Sequence, residues 1–239
     1  MSNFFFIGLP YAALAVFLIS SINRYSTRAY KFSSLSSQFL EDKTLYKGII
    51  PFHWGILALF VGHLIGFLIP NQVLAWNAHS ARLLVIEIAA FGFALTSLYG
   101  ILFLIVRRIQ NRRIAIVTSA MDFIIFVLLL AAVVSGLWVA YFNRWGSSWF
   151  ASVMTPYLKS IFKFSPDISA VVIAPLSIRI HIVIAFVIIG LLPFTRLVHF
   201  LVYPFRYFYR NYQRVIWNWD RKLIRKSKEM NPGVKSRNV

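Results

Sequence analysis

Phe52-His53-Trp54-Gly55-Ile56-Leu57-Ala58-Leu59-Phe60-Val61-Gly62-His63-Leu64-Ile65-Gly66 is the stretch on which the fold turns. It has no acid and no Lys or Arg, and it lies inside an apolar run, 49–69, of about the twenty residues that cross a hydrocarbon core as a helix. A histidine is costly in lipid, so two in one such run read first as parts of a site. A second apolar run, 178–203, carries His181 and His199. Four of the five histidines in this chain of 239 residues therefore belong to two candidate spans.

Three more runs of similar length, about 4–22, 83–106 and 121–142, complete a set of five. The composition agrees: 59% of residues are hydrophobic and 13% charged, against roughly a quarter charged in soluble domains. Most cytosolic enzyme classes are excluded, and so are collagen-like and disordered chains. The expected fold is an all-α integral membrane bundle of five transmembrane helices, one domain over 1–239 with a basic tail at 204–239. The first run is read as a span and not as a cleaved signal peptide, because no basic segment precedes it.

The net charge of +18 is placed in alternate gaps. No Lys or Arg precedes the first run, whereas Arg24, Arg28, Lys31, Lys43 and Lys47 follow it. The second gap is bare until Arg82, and the third has Arg107, Arg108, Arg112 and Arg113. The long fourth gap, 143–177, carries only Arg144, Lys159 and Lys163, and the tail is dense in both residues. The positive-inside rule then puts the N-terminus outside, the first and third loops in the cytoplasm, and the C-terminus there too. The charge thus reports topology and not nucleic acid. In the tail, 205–219 interleaves Arg206, Arg210 and Arg214 with seven aromatic residues, as an interfacial helix on anionic lipid would; a docking surface for a cytoplasmic partner is compatible with that.

Antiparallel second and fifth helices put His53 level with His199 near the cytoplasmic face and His63 level with His181 near the outer one. The steps of ten and eighteen residues span about 15 Å and about 27 Å. Eighteen residues is five whole turns, so His181 and His199 are expected on one helical face. Pairs at two depths do not suit catalytic zinc, which takes three close protein ligands and an open position. They suit two stacked haems with both axial positions filled, which implies electron transfer. The absence of Cys excludes iron–sulfur ligation and covalent c-type attachment, so the haems would be of b type. For one isolated His, an interhelical hydrogen bond is the competing explanation. Gly55, Gly62 and Gly66 allow two readings, close helix packing or clearance for a macrocycle. Arg179 and Arg196 are candidates for the haem propionates; Arg108, Arg112 and Arg113 read as the topology signal.

These residues resemble the gamma subunit of the respiratory membrane-bound nitrate reductase, a membrane cytochrome b. Arg24-Tyr25 and Ser36-Ser37-Gln38 are similar to the family's first loop. Phe52-His53-x-Gly55-Ile56-Leu57, with Phe60-Val61-Gly62-His63-x-x-Gly66, is similar to its second helix. Arg179-x-His181 and Pro193-Phe194-x-Arg196-Leu197-Val198-His199 are similar to its fifth. The resemblance implies two haem b groups, with His53 and His199 on the inner one and His63 and His181 on the outer one. It also implies quinol oxidation near the outer haem. Partners would be an iron–sulfur subunit and a molybdenum-containing catalytic subunit on the cytoplasmic side, in a bacterial or archaeal inner membrane. The family's quinol-contacting Lys at the start of helix three would be replaced by Arg82, which lacks the compact ammonium geometry.

Quinol-site candidates are thus Arg82, Gly62 and Glu87. Glu87 stands about a turn inside the third helix, where it could take a proton from quinol or simply pair with Arg82 or Arg179. His79 reads as a surface or capping residue. Two other functions stay open at this point: a haem b subunit of a sulfur-metabolism complex, and a membrane scaffold in which the histidines are packing groups.

Overall fold

The computed structural model describes residues 2–28 and 44–201, all in helices and their connections, with no strand among them. The basic aromatic tail, like Ser36-Ser37-Gln38, lies outside the described residues. Five helices are long and apolar enough to cross a membrane: Phe4–Thr27, Leu45–Leu68, Ser80–Gln110, Ala120–Phe142 and Leu176–Phe194.

Helix α1 (Leu9–Arg28) continues a π-helical turn at Phe4–Gly8. Helix α2 (Leu45–Leu68) is followed by the short α3 (Pro70–Asn77), which starts with Pro at its first position, where no N–H is needed. At 31 residues, α4 (Ser80–Gln110) is about 46 Å long and exceeds the hydrocarbon core at its ends. After α5 (Arg112–Ile116), α6 (Ala120–Phe142) begins at a capping box. The Ser119 hydroxyl accepts from the Asp122 N–H, and the Asp122 carboxylate accepts from the Ser119 N–H.

The helices pack in the order α1, α10, α6, α4, α2, where α10 is Leu176–Leu191. The tightest contact joins α2 to α4, and glycine makes it possible. A Cβ on Gly100 would stand 2.4 Å from the Phe52 nitrogen, and one on Gly55 would stand 2.6 Å from the Phe93 carbonyl oxygen and the Ser97 nitrogen. Phe52, Ile101, Leu104, Ile125 and Leu129 form the core between α2, α4 and α6. Trp54, Ile88, Phe123 and many other large apolar side chains face outward, as lipid-facing positions should.

The fourth gap is more structured than its charge pattern suggests. It folds into α7 (Gly146–Trp149), a π-helical turn at Phe150–Met154, α8 (Thr155–Phe162) and α9 (Ser169–Ile173). Met154, Tyr157, Ile161 and Val171 bury against Phe6, Ala13 and Phe186. The Tyr157 hydroxyl donates to the Phe6 carbonyl and the Tyr11 hydroxyl to the Ile161 carbonyl. Burial without a counter-charge pushes the Tyr157 phenol well above its ordinary range.

The fifth span departs from a single helix over 178–203. Pro193 cannot supply an N–H and its ring crowds the preceding turn, so α10 stops at Leu191. Two 3-10 turns follow, Leu192–Phe194 and Arg196–Phe200, separated by the extended Thr195. The Thr195 hydroxyl oxygen caps the second turn by accepting from the Leu197 N–H, and Arg24 of α1 donates to the Pro193 carbonyl. His181 and His199 are therefore not five whole turns apart on one continuous helix, in contrast to the spacing expected from the sequence.

Candidate functional site

Two pairs of imidazoles stand at two levels of the bundle. The rings of His53 (α2) and His199 (the second 3-10 turn) have centroids 6.1 Å apart and planes inclined by 49°. Those of His63 (α2) and His181 (α10) are 6.4 Å apart and inclined by 31°. Yet α2 packs chiefly on α4, and α10 on α1 and α6, so no extensive helix–helix contact brings the rings together.

Each ring is oriented through Nδ1. His53 donates to the Ile49 carbonyl and His63 to the Leu59 carbonyl, both at 2.8 Å and one turn back on α2. His199 donates to the Arg196 carbonyl at 2.7 Å. His181 Nδ1 lies 2.9 Å from the Ser135 hydroxyl of α6, whose own hydrogen goes to the Ala132 carbonyl, so the serine oxygen accepts and the imidazole donates. With Nδ1–H committed, each ring takes the tautomer whose Nε2 is unprotonated, a tautomer that could ligate a metal.

The spacing is a second test of fit. Two metal–imidazole bonds of about 2 Å, each extended about 1.1 Å to the ring centre, total about 6.2 Å, beside the observed 6.1 and 6.4 Å. Among the described residues no group of three or more His, Asp or Glu gathers to hold a metal, so what these histidines can offer is two imidazoles per level.

The glycines of α2 divide between the two readings. Gly55 is filled by α4, and a Cβ at Gly66 would meet the Phe150 ring at 2.8 Å, whereas nothing comes within 4 Å of one at Gly62. Packing accounts for Gly55 and Gly66, and open space beside His63 remains at Gly62.

The charged candidates have distinct surroundings. Arg179, two residues before His181, has a buried Nε without a hydrogen-bond partner among the described residues. Such an orphaned donor suits an anionic group of something bound at that level. Arg196 instead gives Nε to Asp122 at 2.7 Å and Nη2 to the Val117 carbonyl at 3.0 Å. Arg108 reaches the other Asp122 oxygen at 3.1 Å and lies over the Phe126 ring, which gives it a structural duty beyond topology.

At the opposite level Arg82 lies over Trp76, 5.1 Å from its centroid. Glu87 does not use Arg82 or Arg179; its Oε1 accepts from the Ser147 N–H at 2.8 Å and the Ser147 hydroxyl at 2.6 Å. Asn77 donates to the Ser147 and Ser148 hydroxyls, so α3, α4 and α7 are tied together beside Phe150, whose ring meets His63 edge-on at 5.1 Å. His79 takes the N-cap position of α4 with no side-chain cap bond.

Asp122, Ser135 and Gly136 were not singled out from the sequence. Asp122 had a visible signal, Ser119-x-x-Asp122 before an apolar run. Ser135 is the one polar side chain between Asp122 and Trp138, which marks it for attention without revealing its partner.

The sequence profile of the family described as nitrate reductase gamma subunit matches residues 2–218. The nitrate reductase gamma chain of Bacillus subtilis (strain 168) is 33% identical over 208 residues, 85% of this chain and 93% of that one. The respiratory nitrate reductase 2 gamma chain of Escherichia coli (strain K12) is 32% identical over 218 residues, 90% of this chain and 96% of that one. A nitrate reductase-like protein, NarX, of Mycobacterium tuberculosis (strain ATCC 25618 / H37Rv) is 29% identical over 232 residues, 94% of this chain but 35% of the longer protein.

Proposed function

This chain belongs to the nitrate reductase gamma subunit family, and from that premise we propose that it is the membrane cytochrome b of a respiratory nitrate reductase, taking electrons from membrane quinol. The observation that carries the proposal is the pair of imidazole couples at two depths, each with Nδ1 engaged and with centroids 6.1 and 6.4 Å apart. His53 with His199, and His63 with His181, would hold two haem b groups. Such groups would supply one-electron transfer between the two membrane faces.

The chain's own residues define the rest of the reading. Arg179 has a buried donor to offer a propionate at the His63–His181 level. Arg196, the other propionate candidate, is bonded to Asp122 and to the Val117 carbonyl. Quinol would enter at the end of the bundle that carries α3, where Gly62 leaves room beside His63. There Arg82 can orient a quinol oxygen, and the Glu87 carboxylate, held on one oxygen by Ser147, can accept a proton on the other.

With the N-terminus outside and Arg107, Arg108, Arg112 and Arg113 in the cytoplasm, that end faces outward and protons leave on that side. Electrons would go to an iron–sulfur subunit and a molybdenum catalytic subunit on the cytoplasmic side. The scaffold alternative fits less well, because packing alone gives no reason for four imidazoles to stand as two couples, each ring held through Nδ1.

The purified complex should show low-spin b-type absorption for two haems per copy of this chain, and quinol should reduce both. A spectrum with no haem, or haem that quinol cannot reduce while nitrate reduction by an artificial donor persists, would sink the proposal.

A further inference from the structure

Three of the four histidines give Nδ1–H to a main-chain carbonyl close by in their own segment, Ile49, Leu59 or Arg196. His181 differs in meeting a side chain on another helix, the Ser135 hydroxyl of α6 at 2.9 Å, with the Ala132 carbonyl of the same helix beside it as a further acceptor. That hydroxyl has one hydrogen and gives it to the Ala132 carbonyl at 3.0 Å, so its oxygen is available to the imidazole only as an acceptor. The next residue completes the cradle: a Cβ at Gly136 would come within 3.2 Å of His181 Cε1, so the missing side chain lets the ring lie against α6.

We infer that Ser135 is a positioning residue for His181, setting its tautomer, its ring angle and its basicity as an axial ligand, and that Ser135 thereby tunes the reduction potential at the His63–His181 level. The inference rests on the bis-histidine reading above. An acceptor on Nδ1–H pushes electron density onto Nε2, makes the imidazole a stronger donor and favours the oxidised metal. Removing the acceptor therefore favours the reduced metal. The His53–His199 level does not touch Ser135 and supplies an internal control.

The experiment is a redox titration of the whole complex in membranes, followed by optical and low-temperature electron paramagnetic resonance spectra, for Ser135→Ala and Ser135→Thr. Ser135→Ala should move the midpoint potential of one haem upward and change its ferric signal while the other haem keeps both. Ser135→Thr, which retains the hydroxyl, should restore the original values. Loss of that one haem in Ser135→Ala with retention in Ser135→Thr carries the same conclusion. Unchanged potential and signal in Ser135→Ala with both haems bound would overturn the inference, and so would a threonine variant that behaves like the alanine one. Absence of haem from the unsubstituted complex would instead overturn the reading on which it rests.

Discussion

Arg196 donates from Nε to Asp122 Oδ1 at 2.7 Å, tying the 3-10 turn that carries His199 to the first turn of α6. The same carboxylate accepts from Arg108 of α4 and from the Ser119 N–H, so a single buried acid fastens three elements. Asp122→Ala would leave two guanidinium groups without their shared acceptor. At roughly 1.5–3 kcal/mol for each charged hydrogen bond, the variant should melt well below the parent in detergent. It should also lose the His53–His199 haem before the other, as measured by haem content per chain; equal loss of both would mean that Asp122 supports the bundle generally and not this turn.

The histidine pairing predicts matching phenotypes across helices. His63→Ala and His181→Ala should abolish one and the same b-type spectral component, and His53→Ala and His199→Ala the other. Difference spectra of the four variants decide it, and components that sort by helix instead of by level would refute the pairing.

Helix contact at glycine predicts a graded series. Gly100→Ala drives a Cβ to 2.4 Å from the Phe52 nitrogen, where backbone has to shift, and overpacking of this kind costs about 1–3 kcal/mol. Gly62→Ala meets nothing within 4 Å and should leave the unfolding midpoint of the haem-free protein unchanged. If it lowers haem content all the same, the space at Gly62 belongs to the cofactor or to quinol.

Glu87 is expected to combine structural and chemical duties that substitution can separate. Glu87→Gln keeps an acceptor for Ser147 and should hold α7 in place, but it removes the ionisable oxygen, so quinol oxidation should fall several-fold or more with haem content intact. Equal turnover in Glu87→Gln and the parent would leave Glu87 a structural residue alone.

Tyr157 predicts an alkaline limit. Its phenol keeps its proton in the fold at pH values where the unfolded chain has lost it. The unfolded state then binds fewer protons, and stability falls as pH rises above about 10, the ordinary tyrosine value. Tyr157→Phe should be less stable at neutral pH through loss of the bond to the Phe6 carbonyl, and its thermal midpoint should decline less steeply above that pH. A parallel decline in both proteins would assign the alkaline sensitivity to other groups.

The number and approximate limits of the five spans were legible in the chain, because a lipid solvent imposes a nearly one-dimensional demand: about twenty apolar residues without charge. Which histidines share a level was legible too, since antiparallel helices of known rise leave little freedom in depth. The helical content of 143–175 was not, because Thr155, Tyr157 and Ile161 are held by partners as distant in sequence as Gly66, Phe6 and Tyr11. The end of α10 was half legible: Pro193 announces a break, but the extended Thr195 and the 3-10 turn that follows depend on Arg24 and Asp122 arriving from other helices.

The chain alone thus determined a five-helix membrane bundle with four histidines in two tiers, because hydrophobic length and charge are properties of a segment. Tertiary structure alone decided which group each imidazole Nδ1 meets, that Gly55 serves packing while Gly62 stands open, and that Asp122 bonds Arg196 while Ser135 lies beside His181. Those are matters of hydrogen-bond direction and contact at a few tenths of an ångström, set by residues far apart in sequence, and no periodicity along one helix encodes them.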